Sequence, residues 1–88
     1  MRNIREVTSE GPRGPVYIRF SDDPVYRTEP AERDAELIVD YDVAGAVTGI
    51  ELVSISLGAF TSLLDVARSN DLDLAALLAR SFTASTAA

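Results

Sequence analysis

The chain has 88 residues and a formal net charge of −6, the size of one domain, which buries only about two thirds of its unfolded surface. It has neither cysteine nor histidine. That excludes disulfides, thiolate nucleophiles, Cys-containing zinc and iron–sulfur sites, the Ser-His-Asp triad and the commonest transition-metal ligand, leaving only carboxylates, hydroxyls and arginine for chemistry.

Ile4 and Val7 permit a short edge strand. Ser9 to Pro15 can only be a loop, because two prolines and two glycines kink the chain and supply no ladder donors. Val16, Ile18 and Phe20 alternate with Tyr17 and Arg19, the period-two pattern of a strand with one buried face. Ser21-Asp22-Asp23-Pro24 turns the chain into Val25-Tyr26-Arg27-Thr28, so residues 16–29 are expected as a hairpin and Pro30 to Glu36 as an exposed charged connection.

The clearest signal is a second hairpin. Leu37 to Tyr41 and Val47 to Val53 flank Asp42-Val43-Ala44-Gly45, with Gly45 the natural left-handed residue. The register it suggests sets Tyr41 opposite Val47, Asp40 opposite Thr48, Val39 opposite Gly49, and Ile38 opposite Ile50. One sheet face then carries Leu37, Val39, Tyr41, Val47 and Val53, and the other Ile38, Ile50 and Leu52. Both faces would need cover.

Leu57, Phe60, Leu64 and Ala67 fall at helical spacing after Ser56, an N-cap candidate, with Asn70 a left-handed stop. A second helix follows, with Asp73 as N-cap, a staple between Leu72 and Leu77, and Leu74, Leu77 and Leu78 in its apolar stripe. The expected architecture is α+β: an antiparallel sheet of four to five strands built from two β-hairpins, followed by two short C-terminal helices. Residues 1–82 form a single domain in this reading, with 16–56 the hairpin core, 57–82 the helical pair and 83–88 a flexible tail.

No run approaches the roughly 18 apolar residues that span a bilayer, and Met1 to Arg5 lacks the apolar core of a signal peptide, so the expected compartment is the cytoplasm and no membrane partner is expected. Residues 21–42 hold eight acids against Arg27 and Arg33, whereas residues 1–20 hold four arginines against two glutamates. Such a surface repels phosphate backbones, so nucleic acid is not an expected partner, and it favours encounter with a basic protein. The plainer account is a solvated face that keeps the chain soluble.

Tyr17-Ile18-Arg19-Phe20-Ser21-Asp22, Val25 to Thr28, Ile38-Val39-Asp40-Tyr41-Asp42, Gly45, Val47 and Gly49-Ile50-Glu51 together resemble the small bacterial Domain of Unknown Function 2283 proteins, over roughly residues 16 to 55. The spacing of both hairpins and the turn glycine agree, but the motif is one of folding and names no active site. The chain departs from the family pattern in its longer, Gly- and Pro-rich segment from Glu6 to Pro15 and in its helical extension. The family is uncharacterised; its members are thought of as neighbours of small ribonuclease-like toxins, so the resemblance implies an antitoxin-like role, an analogy of genomic habit and not of residues.

Three functional classes are weighed. The first is a non-catalytic partner-binding protein, contacting a second copy or a small basic protein through Leu57, Phe60, Leu64, Leu74, Leu77 and Leu78 or through the apolar sheet face that one helical layer leaves uncovered, which calls for a dimer or a heteromeric partner, with Glu29, Glu32 and Glu36 steering the encounter. The second is a carboxylate-dependent enzyme or divalent-cation site at Asp40, Asp42 and Glu51 with Asp22 or Asp23. Against it, Asp42 opens a turn, where Asp commonly bonds the backbone. The third is a structural homo-oligomer. No catalytic, cofactor or metal residue is assigned and no cofactor is expected; the glycines match no phosphate loop, and Arg2, Arg5 and Arg13 fit scattered surface charge.

Overall fold

In a computed structural model that describes residues 1–11, 15–31 and 34–77, the chain forms seven strands and one long helix: β1 Arg2–Asn3, β2 Glu6–Ser9, β3 Val16–Arg19, β4 Arg27–Ala31, β5 Asp34–Tyr41, β6 Val47–Leu52, α1 Leu57–Ser69 and β7 Leu72–Asp73. A second helical segment opens at residues 75–77. The expected tail and Leu78 lie outside the described residues. The main sheet is antiparallel with strand order β2-β3-β6-β5-β4, and β1 pairs in parallel with β7. This is the expected α+β arrangement with its helical part C-terminal.

The first expected hairpin is not formed. β3 pairs with β2 on one side and β6 on the other, and β4 pairs with β5. The order β3-β6-β5-β4 is therefore a Greek key, in which β4, β5 and β6 follow one another by hairpins and β3 closes beside β6. Residues 20–26 are the long connection. Arg19 and Arg5 hold Asp22 at its start, and the Tyr26 N–H bonds the Tyr41 carbonyl at 2.8 Å at its end. The stretch from Pro30 to Glu36 is likewise no open connection: Pro30 and Ala31 belong to β4, and β5 begins at Asp34. Pro30 is tolerated because β4 is an edge strand.

The β5–β6 hairpin closes as the turn residues require. Gly45 has φ +85°, the Asp42 N–H reaches the Ala46 carbonyl at 2.8 Å, and Tyr41 lies opposite Val47. The next pair is Asp40 with Gly49, so Thr48 is the extra residue of a β-bulge. From there on the register differs by one from the expected one: Val39 faces Ile50, Ile38 faces Glu51, and Leu37 faces Leu52.

That single insertion reorganises the sheet, because a one-residue slip exchanges faces. Val47, Ile50 and Leu52 join Leu37 and Val39 on one buried side, continued by Ile18 opposite Ile50 and Val16 opposite Leu52. The other side carries a polar row across all five strands: Glu6, Arg19, Gly49, Asp40 and Thr28. The expectation of two apolar faces is thus overturned, and with it the argument that a leftover sheet face calls for a dimer.

The bulge leaves the Thr48 hydroxyl buried without a hydrogen-bond partner, although its carbonyl accepts from the Phe20 N–H at 2.8 Å. A buried orphan donor is unfavourable, whereas an apolar group of the same shape is not. Thr48→Val should therefore stabilise the fold by about 0.5–1 kcal/mol in urea unfolding; a loss of that size would mean that the hydroxyl is satisfied.

One side of the sheet is covered by α1. Ser56 caps the helix by accepting the Ala59 N–H at 3.0 Å, as expected. The inward row is Ala59, Leu63 and Ala67, with Ser62 beside it, a strict i, i+4, i+8 ridge. The expected stripe is rotated by about one position: Leu57 and Leu64 are exposed and Phe60 is half-buried. The inward row sets one large side chain, Leu63, between two alanines.

Asn70 does not adopt the left-handed stop. Its N–H and its side-chain Nδ2 both bond the Val66 carbonyl, at 3.1 and 2.9 Å, and hold φ at −116°. Asp71 takes the reversal instead, with φ +56°. The Asp71 carbonyl accepts the Arg2 N–H at 2.9 Å, which starts the β1–β7 pairing and places Leu72 in the core.

Candidate functional site

The polar side of the sheet is organised around Asp40. Its two oxygens accept from the Tyr17 hydroxyl and the Thr28 hydroxyl, each at 2.7 Å. Tyr17 stands on β3 and Asp40 on β5, so the phenol crosses β6 to reach the carboxylate. It crosses over Gly49, where a Cβ would lie 1.9 Å from the Tyr17 oxygen and 2.4 Å from Cζ. The glycine is required by this close approach and not by its own backbone angle. Arg19, in the same row, pairs with Glu6 at 3.8 Å and with Asp22.

Burial, and after it the hydrogen bond to Asp40 and the charge of that carboxylate, hold the Tyr17 phenol well above its ordinary value. A raised folded-state value means that the unfolded chain loses this proton first. Stability from the phenol is therefore complete below pH about 10 and falls as pH rises beyond it. The chain contains no lysine, so this window holds little else besides tyrosines. Tyr17→Phe should flatten the alkaline loss of stability measured by thermal unfolding between pH 9 and 11; an unchanged slope would assign it elsewhere.

Of the carboxylates proposed for an oxygen-ligand site, Asp23 and Asp42 line one recess, but no three of the set are brought together. Asp42 caps its turn, with Oδ1 accepting the Ala44 and Ala46 N–H groups at 2.9 Å each. Asp40 is committed to Tyr17 and Thr28, Asp22 to Arg5 and Arg19. Glu51 lies opposite Tyr17 on the polar side, away from the face of Val39. Among the described residues no group of three acids is placed to hold a metal ion. The side chains of Tyr17, Asp40 and Thr28 thus bond β3, β5 and β4 to one another, over Gly49 of β6.

The expected contact residues are scattered. Leu57 is 86% and Leu64 45% exposed, and with half-buried Phe60 they follow i, i+3, i+7 on the outer side of α1. Leu74 and Leu77 are partly buried against the core, at the turn where Asp73 accepts the Ala75 N–H at 2.9 Å, as expected of a cap. Glu29 lies opposite Val39, beside the groove between β4 and α1. Glu36 belongs to the opposite side of the sheet and accepts from the Ser54 hydroxyl. These two acids form no single patch; Glu32 lies outside the described residues. Missed from the sequence is an exposed apolar group at the hairpin end, Val25, Tyr26 and Val43, whose signal was the presence of large apolar residues at turn positions.

The polar side of this small α+β domain is held by its own hydrogen bonds and ion pairs, and its exposed apolar residues include Leu57 and Leu64 on α1 and Val25, Tyr26 and Val43 at the loop tip. Residues 16–56 match the family described as Protein of unknown function (DUF2283), a little under half of the chain. No curated protein and no solved structure matches it significantly. The matched segment contains Tyr17, Asp40, Gly49 and the Gly45 turn, which are among the residues that carry the resemblance in the sequence. No helix among the described residues is long and apolar enough to cross a membrane.

Proposed function

We propose that this is a non-catalytic, partner-binding protein, antitoxin-like in kind, whose contact is the outer side of α1. The observation that carries this reading is the exposure of Leu57 and Leu64 on a helix whose inner ridge is already packed. Single exposed leucines are ordinary. Here two lie seven residues apart with Phe60 between them and exposed Ile55 just upstream, the anchor spacing of a helix that lies in a partner's groove. The net charge of −6 supports a small basic protein as the partner, steered by the charge of the whole chain.

Affinity capture of the tagged chain from its native host, with light scattering of the eluate, tests this. The expected result is a stoichiometric small basic protein that is lost from Leu57→Glu/Leu64→Glu, a variant whose unfolding temperature is unchanged because both sites are exposed. Recovery of the chain alone, or retention of the partner by the variant, contradicts it.

A further inference from the structure

Two loops meet at the end of the sheet where β6 begins, the residue 20–26 connection and the β5–β6 turn. Asp23, Pro24, Val25, Tyr26, Asp42 and Val43 line a recess between them of about 490 Å³. Both walls are fixed. The Asp23 N–H bonds the Ser21 hydroxyl at 2.9 Å, the Tyr26 N–H bonds the Tyr41 carbonyl at 2.8 Å, and Asp42 caps its turn through two N–H groups.

The recess is apolar in its body, with Val25 51%, Tyr26 72% and Val43 80% exposed. Folding gives no reason for this, since turn positions accept polar residues. Both charged residues that line it are acids, and the arginines around it are engaged elsewhere: Arg5 and Arg19 hold Asp22, and Arg27 stacks on the Tyr41 ring at 4.5 Å and pairs with Glu29 at 3.8 Å. An aromatic face beside two carboxylates suits a guanidinium, which stacks on the ring and pairs with the acids, while an adjacent aliphatic side chain fills the apolar body. Phosphate-bearing partners would be repelled.

We infer that this recess receives an arginine next to an aliphatic residue in a basic protein. The site goes beyond the helix contact and does not depend on it, because Leu57 follows the far end of β6.

The test is titration of the full-length ¹⁵N-labelled chain with capped Arg-Leu-Arg, and with Glu-Leu-Glu as control, at low salt. The expected result is saturable shifts at the amides of Asp23, Val25, Tyr26 and Val43 with the arginine peptide alone. Tyr26→Ala and Asp23→Asn, both at exposed positions, should each weaken it about fivefold or more. Absent shifts, shifts spread over the surface, or unchanged affinity in both variants would overturn the recess. Shifts confined to α1 would also overturn it while favouring the helix contact.

Discussion

Gly49→Ala should destabilise the protein by about 2–3 kcal/mol, a fall in unfolding temperature of roughly 10 °C or more for a domain of this size. The added methyl would occupy the space of the Tyr17 hydroxyl and Cζ. Tyr17 cannot give way freely, because its hydroxyl is bonded to Asp40 and its ring is half-buried in the sheet. Displacing it leaves Asp40 with Thr28 alone and breaks the tie between β3 and β5. The contact also predicts non-additivity: in a Tyr17→Ala background, where the space is vacant, Gly49→Ala should cost less than about 1 kcal/mol. Urea unfolding of the two single variants and the double variant measures this coupling. Equal costs in both backgrounds would show that the glycine is needed for another reason.

Leu63→Ala should cost about 3 kcal/mol, whereas Leu64→Ala, one position further on, should stay within about 0.5 kcal/mol. Leu63 has no exposed surface and sits between Ala59 and Ala67 on the ridge that meets the sheet. Its neighbours are small, so little can move in to fill the cavity that truncation leaves. The pair of variants separates the observed helix orientation from the one that side-chain size suggests. A large loss at Leu64 with a small one at Leu63 would restore the expected stripe and remove the proposed contact surface.

The features legible in the sequence were local ones. The alternation of Val16 to Phe20, the left-handed Gly45, the Ser56 and Asp73 caps and the turn role of Asp42 each depend on residues within a few positions, and each is found. What escaped depends on distant partners. The bulge at Thr48 has no side-chain signature, and the period-two rule runs straight through it, so Ile50 and Leu52 were assigned to the wrong side. The Greek-key order needs to be known before Tyr17 and Thr28 can be seen to converge on Asp40, because their strands do not neighbour one another in the sheet. Side-chain size at Leu57, Phe60 and Leu64 points to one helix face, whereas the sheet packs against Ala59, Leu63 and Ala67, and only Ala67 is common to both.

The one-sided sheet changes where a partner can bind. With Leu37, Val39, Ile18, Ile50 and Leu52 buried together in one core, the chain satisfies its own sheet, and exposed apolar side chains remain on the outer side of α1, on the segment before it and at the loop tip. The polar side is occupied by its own bonds between Tyr17, Asp40 and Thr28.

The most direct test of this account is the accessibility of those apolar side chains in the full-length protein, read as broadening of methyl and aromatic NMR signals by a soluble gadolinium chelate. The account predicts strong broadening at Leu57, Leu64, Val25, Tyr26 and Val43, with Leu63, Ile50 and Val39 protected. Protection of Leu57 and Leu64 at the level of Leu63 would contradict it, since the chain would then already cover the surface on which a partner is proposed to dock.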